Sequence, residues 1–397
     1  MKNEPNIRIK GFEGEWKECT FNNLVDRISS YSSSKSLPTV EFEDIISGEN
    51  RLNKDVYSKP IHKGGIAFEK NDVLFGKLRP YLKNILFATF NGIAVGDFWV
   101  LRANESYPAF VYTLVNNKSF MDVANISSGS KMPRADWNLV SKHKFLVPSF
   151  FEQRAIATYF RHLDSLIEIA DKKVASLKQV KEASLQSMFP KEGQKVPEVR
   201  FKGFEGEWKT VQLCECLEVS KERNSDNKYG IEDVLSVSDD SGVTNQIELL
   251  GRSFAGKSVS NYGILHEGEI VYTKSPLKSK PFGIIKRNNY KTGIVSVLYA
   301  IYKPHIDISS NYIHYYFSPS WRLNNYIHPL VNKGAKNTMN ISDETALMGY
   351  IPLPPTLSEQ RKIASFFVHL DNQIAIAQKR LDLLRRIKSA CLDEMFA

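Results

Sequence analysis

Nowhere in the 397 residues does an apolar run approach the roughly 18 that a membrane span needs. A helical membrane protein is therefore not expected, and no membrane partner is called for. Cysteine is scarce: Cys19, Cys214, Cys216 and Cys391 form no CxxC pair and no ladder of metal-ligand spacing. Neither a disulfide scaffold nor a zinc module follows, and no metal site is predicted. The opening Met-Lys-Asn-Glu-Pro-Asn is polar and unlike a secretory leader. Together these absences predict a cytoplasmic protein with reduced thiols. Signatures of catalysis are missing too. There is no glycine-rich fingerprint for S-adenosylmethionine, no Asp/Asn-Pro-Pro-aromatic motif and no G-x-S-x-G. Acid pairs such as Glu43-Asp44 read as solvated surface rather than a nuclease centre.

What is present is a duplication. Arg8-Ile-Lys-Gly-Phe-Glu-Gly-Glu-Trp-Lys17 recurs as Arg200-Phe-Lys-Gly-Phe-Glu-Gly-Glu-Trp-Lys209, an offset of 192. Glu152-Gln-Arg-Ala-Ile-Ala-Thr-Tyr-Phe-Arg-His-Leu-Asp164 recurs as Glu359-Gln-Arg-Lys-Ile-Ala-Ser-Phe-Phe-Val-His-Leu-Asp371, an offset of 207 that holds to Met188-Phe189 and Met395-Phe396. Between the boxes the halves share little, and the second insert is longer by the difference of the offsets, 15 residues. The layout is box, variable insert, helix, repeated once. We divide the chain into a first domain at 1–151, a helix at 152–189, a second domain at 190–358 with linker 190–199, and a C-terminal helix at 359–397.

Both helices follow a proline-bearing strand end and carry apolar residues at alternating steps of four and three. The first seam is Ile156, Phe160, Leu163, Ile167, Ala170, Val174 and Leu177; the second is Ile363, Phe367, Leu370, Ile374, Ala377, Leu381 and Leu384. Such spacing over about three heptads is a coiled-coil seam, and about 38 residues make a rod on the order of 55 Å. Two matched seams predict mutual, antiparallel pairing, with the inserts near opposite ends and a pseudo-two-fold relation between the halves. Each insert mixes short strands (Asp72–Phe75, Ile93–Val95, Phe98–Leu101; Glu269–Thr273, Thr292–Ile301) with helical stretches near Pro108–Val115 and Tyr312–Tyr326. The fold class is α+β: two β-containing domains separated by two long antiparallel coiled-coil helices.

The net charge of +9 permits a nucleic-acid partner without requiring one. Its distribution is more telling. No acid lies between Glu269 and Asp307, an interval holding Lys274, Lys278, Lys280, Lys286, Arg287, Lys291 and Lys303 among Tyr272, Phe282, Tyr290 and Tyr302. From Asp307 to Asp343 acids are again absent, with Arg322, Lys333, Lys336 and Asn337 present. In the first insert, Lys77, Arg79, Tyr81 and Lys83 lie between Asp72 and Asp97, and Lys131 and Arg134 follow. Single-sign charge with aromatics suits phosphate neutralisation, and Arg79, Arg134, Arg287, Asn288 and Asn337 have the chemistry for base edges. Gly251-Arg-Ser-Phe-Ala-Gly-Lys-Ser258 matches the phosphate-loop pattern G-x4-G-K-[ST], but Val259-Ser-Asn-Tyr-Gly263 is no helix start. It reads as a surface turn whose Arg252 and Lys257 are available to DNA. His162 and His369 occupy equivalent helix positions and read as packing or capping contacts rather than ligands, and Cys214-Glu-Cys216 lacks a second ligand pair.

The chain resembles the specificity (S) subunits of Type I restriction-modification enzymes over nearly its whole length. The resemblance rests on the duplicated Gly-Phe-Glu-Gly-Glu-Trp, on Pro352-Leu-Pro-Pro-Thr-Leu-Ser-Glu-Gln360, on the paired His-Leu-Asp helices and on Phe75-Gly-Lys-Leu-Arg-Pro-Tyr81. Val147-Pro-Ser-Phe-Phe-Glu152 departs from the proline-rich pattern. The resemblance implies that each insert reads one half of a bipartite, asymmetric double-stranded DNA site. It implies that the helices fix the gap and dock two methyltransferase subunits, with restriction/translocase subunits joining through the complex. Adenine methylation and cleavage, with S-adenosylmethionine, ATP and magnesium, would belong to those partners, leaving this chain non-catalytic and without a cofactor. The competing readings are an enzyme, as a tandem nuclease or a nucleotide hydrolase using Gly251–Ser258, and a scaffold that does not touch DNA.

Overall fold

A computed structural model describes residues 4–59, 63–126, 132–256, 258–274, 280–333 and 339–396. The chain divides into two compact units, Met1–Lys173 with Ala377–Ala397, and Val174–Ile376. Each long helix is continuous, Phe150–Ser187 and Leu357–Met395. Ser149 Oγ and Thr356 Oγ1 accept the backbone N–H of Glu152 and Glu359, satisfying a first-turn donor in the manner of an N-cap. No helix of the described residues is long and apolar enough to cross a membrane.

In the first unit a four-stranded antiparallel sheet runs in the order Val25–Ile28, Phe98–Ala103, Val73–Gly76, Ile85–Phe87. The second unit builds the same order from Leu217–Val219, Ala300–Pro304, Ile270–Tyr272 and Ile285–Arg287, also antiparallel. Inserts that share little sequence therefore share a sheet. The strand read over 292–301 is two strands, Gly293–Val295 and Ala300–Pro304. Ser296 makes the break, accepting Tyr299 N–H at its carbonyl and Leu298 N–H at its hydroxyl; the apolar residues on either side hid that turn. The helix read over 312–326 is also two, Ser310–Tyr316 and Ser320–Ile327, parted at Pro319, which cannot continue a helix from within.

The repeated boxes interlock. After the first box, Lys17–Thr20 pairs antiparallel with Lys144–Val147, and after the second, Lys209–Gln212 pairs with Tyr350–Leu353. Arg8 grips Glu152 with two bonds of 2.8 Å and donates to the Gly14 and Glu13 carbonyls, while Trp16 Nε1 reaches Glu152 at 3.4 Å. The second copy repeats every contact: Arg200 to Glu359 at 2.7 and 2.9 Å, to Gly206 and Glu205 oxygens, and Trp208 Nε1 to Glu359 at 3.3 Å. Gly14 and Gly206 hold φ of +88° and +84°, which lets the loop turn its carbonyls onto the guanidinium. The neighbouring glutamines tie in the inserts: Gln153 accepts Tyr107 N–H and Gln360 accepts Ser309 N–H, each at the start of an insert helix.

The helices run antiparallel within each unit. In the first, Tyr159 faces Cys391, Asp164 faces Lys388 and Asp171 faces Arg385; in the second, Lys181 faces Asp371 and Phe189 stacks on Phe367. Of the seam, Ile156, Phe160, Leu163, Val174, Leu177, Ile363, Phe367, Leu370 and Leu381 are buried, while Ile167, Ile374 and Leu384 are partly so. The partner is not the other helix alone. Ile156, Phe160 and Leu163 join one core with Phe110 and Phe145 of the insert and with Leu392 and Met395 of the second helix. Each seam thus serves its insert as well as its fellow helix.

Glu152 is about 1% exposed, so removing its cation leaves a buried charge that costs about 3 kcal/mol. Arg8→Met should lower hydrogen-exchange protection of Lys17–Thr20 and leave Lys209–Gln212 unchanged, with Arg200→Met doing the reverse. Equal losses in both strands would show that the boxes do not act as separate staples.

Candidate nucleic-acid interface

In the first unit the chain leaves the sheet after Gly76, where a Cβ would come within 2.9 Å of the Phe42 ring. It then forms a loop around one tight turn, Pro80–Leu82, flanked by Arg79 and Lys83 in the left-handed region at φ +49° and +50°. Non-glycine residues rarely sit there, and backbone bonds hold the loop in place. Lys77 N–H donates to the Asp97 carbonyl, Arg79 N–H to Pro133, and Ala135 N–H to Lys77, at 2.8–2.9 Å. Two distant stretches are thereby brought together, and Arg134 stands beside Lys77. Both cations turn to Asp97, Arg134 at 2.9 Å and Lys77 at 3.6 Å. Arg79 is exposed with no ion pair among the described residues, and the Tyr81 ring is 56% exposed. Lys83 instead borders a cleft of about 500 Å³ with Glu49, Arg51 and Arg385. Lys131 lies outside the described residues.

The acid-free interval of the second insert is not free of acid in space. Lys274, following the equivalent strand and left-handed at φ +53°, pairs with Asp343 at 2.6 Å. Lys280 and Lys286 converge on Asp239 at 2.6 and 3.1 Å. Burial raises the Asp239 carboxyl, but the two lysines outweigh it and hold it below its usual range. Burial pushes the Lys286 ammonium down against the pull of Asp239, and lowers Arg287, whose Nε donates to Ser310 Oγ at 2.9 Å. Asn288 is fully buried, its amide donating to the Leu265 and Lys291 carbonyls. Arg322 is buried as well, donating to the Leu185 and Tyr316 carbonyls and lying over the Phe189 ring at 4.8 Å. It holds the last turn of the first long helix. Lys278, Lys336 and Asn337 fall outside the described residues, and Lys333 lies in the two-residue strand Asn332–Lys333, of whose side chains nothing is described. Charge counted along the chain missed these partners because Asp97, Asp239 and Asp343 arrive from other segments.

Gly251, at φ +75°, ends the short helix Gln246–Leu250. No helix follows Ser258 among the described residues; the chain turns into the strand Gly263–Leu265. A phosphate loop needs a helix N-terminus there. Arg252 lies over Phe254 at 4.6 Å on the surface, and Lys257 is outside the described residues. His162 and His369 are exposed rather than packed, and His369 Nε2 lies 2.8 Å from the Gln373 side chain. Cys216 is buried, which pushes its thiol up to about 12, and no metal-holding cluster occurs among the described residues. Asp44 is fully buried rather than solvated, gripped by Lys54 and Lys59, which account for its charge without a reaction.

Residues 205–386 match the family model of the Type I restriction modification DNA specificity domain. The whole chain shares its fold with the crystal structure of a Type I restriction-modification S subunit from M. genitalium, at 12% identity, TM-score 0.63 and 99% coverage of both chains. A chain from a study of complex assembly and conformational transition of the type I R-M system is similar at 18% identity and TM-score 0.52, covering 96% of this chain and 97% of that one.

A turn in place of a phosphate loop should leave the protein indifferent to nucleotide. Its melting temperature should be the same with and without saturating ATP and magnesium, and Lys257→Ala should change nothing. A rise with ATP that Lys257→Ala abolishes would reinstate nucleotide binding.

Proposed function

We propose that this chain, grouped with the S subunits of Type I restriction-modification systems by its specificity domain and its full-length fold, reads a bipartite, asymmetric site on double-stranded DNA. The observation carrying the reading is the contrast between the units: closely matching boxes hold unlike inserts of one sheet order, as two readers of different half-sites on one frame require. In the first unit, Arg79, Tyr81, Lys77 and Arg134 form a basic, aromatic-bearing surface with backbone held firm beneath it. Such a surface supplies phosphate contacts and leaves Arg79 free to bid for a guanine edge. In the second unit Lys274 marks the equivalent loop. The described cations there are largely engaged within the chain, so DNA must displace them or use residues around 275–279 and 334–338.

Two methyltransferase subunits docking on the duplicated frame, with restriction/translocase subunits joining through the complex, would supply adenine methylation and cleavage. S-adenosylmethionine, ATP and magnesium would then act on those partners, in the cytoplasm, and this chain would carry specificity alone. A scaffold that does not touch DNA is separated from this reading by salt-dependent binding to duplex DNA.

Arg79→Ala and Arg134→Ala should each weaken DNA binding by the assembled complex and reduce the slope of log affinity against log salt by about one. Lys286→Met should leave the slope unchanged, because its ammonium is largely buried as well as held by Asp239, whereas Arg134 stays half exposed beside Asp97. Equal effects of all three would place the DNA elsewhere. The ruler role of the helices has its own test. One heptad inserted after Leu177 and one after Leu384 keeps the seam in phase and adds about 10 Å, roughly three base pairs of B-DNA. Methylome mapping should then find the same half-sites with a longer gap; an unchanged gap with retained activity removes the helices as ruler.

A further inference from the structure

The last residue of each repeated His-Leu-Asp makes the same three-way contact in both units. In the first, Tyr112 of the insert helix Pro108–Asn116 donates its hydroxyl to Asp164 Oδ2 at 3.1 Å. Lys388, from the second long helix, meets Asp164 Oδ1 at 2.6 Å. In the second unit, Tyr315 of the insert helix Ser310–Tyr316 donates to Asp371 Oδ2 at 2.9 Å, and Lys181, from the first long helix, meets Asp371 Oδ1 at 2.5 Å. Lys181 and Lys388 stand 207 residues apart, as do Asp164 and Asp371. Both tyrosines are buried, and the lysine side chains are 18% and 27% exposed, so these pairs are less screened than surface ones.

A duplicated contact that joins an insert, its own helix and the opposing helix does what apolar packing cannot. Burial of Ile156, Phe160 and their equivalents is favourable at any register that keeps the 3-4 seam in phase, because the hydrophobic effect has no direction. A carboxylate with one lone pair on a phenol and another on an ammonium has direction on both sides. Slipping one helix by a heptad would carry Lys388 about 10 Å from Asp164. Tilting the insert would strip Tyr112 from the same carboxylate.

We propose that Tyr112–Asp164–Lys388 and Tyr315–Asp371–Lys181 are positioning residues that lock each recognition insert to one register of the helix pair, and so confine the DNA gap to a single length. The proposal rests on the DNA-reading function above. The complex of this chain with its methyltransferase partners tests it, with methylated adenines mapped genome-wide. Asp164→Lys and Lys388→Asp, each alone, should raise methylation at sites whose gap differs by roughly three base pairs, the step of one heptad, by about tenfold, with both half-site sequences unchanged. The double swap, restoring an opposite-charge pair, should return methylation to the single gap. Tyr112→Phe removes only a hydroxyl and gives a milder broadening; it decides the matter should either charge variant fail to fold. Wild-type gap discrimination in all the folded variants overturns the positioning role alone. Absence of bipartite methylation by the wild-type complex overturns the DNA-reading function, and the positioning role with it.

Discussion

Glu152 and Glu359 are withdrawn from water at the first turn of each long helix, and a carboxylate there persists only with a cation and donors around it. The Gly-Phe-Glu-Gly-Glu-Trp box exists to provide them. Its arginine lies three residues ahead of the first glycine, its glycines bend the loop so that carbonyls meet another edge of the guanidinium, and its tryptophan adds Nε1 as a donor to the carboxylate. Because the strand after the box pairs with the strand before the helix, the ion pair and that pairing hold the two ends of each insert together. Everything between is free to vary.

That freedom is visible in the inserts. The second unit repeats the four-strand order of the first with almost none of its residues, since a sheet whose central strands are buried on both faces asks for apolar runs and not for particular side chains. The helix seam carries a similar tolerance. Its apolar positions pack against the insert and the opposing helix together, so the seam stabilises the assembly without choosing a register by itself. Polar contacts at Asp164 and Asp371 bring the direction that packing lacks. The same division holds on the candidate DNA surface. Arg79 and Tyr81 are exposed by a backbone pinned to Pro133 and Ala135, while Lys274, Lys280 and Lys286 are tied down by acids.

By itself the sequence determined the duplication, the two long helices, the α+β class and the lack of a helix start directly after Ser258. Each depends on residues close in the chain: heptad spacing, a proline before a helix, a glycine where a helix would have to begin. The short break at Ser296 was less legible because apolar residues flank it on both sides, whereas Ser318-Pro319-Ser320 is a legible turn signal within 312–326. Only the tertiary structure decided which cations remain available. Ion pairing depends on distance through space, and Asp239 and Asp343 reach their lysines from segments well away in the chain, while Asp97 at the edge of its interval folds back onto Lys77. Arg322 and Asn288 looked like DNA-contacting residues from their surroundings in sequence, yet burial commits their donors to backbone carbonyls. The meaning of the repeated boxes was likewise hidden, because the partner of Arg8 lies 144 residues away and only folding brings Glu152 to it.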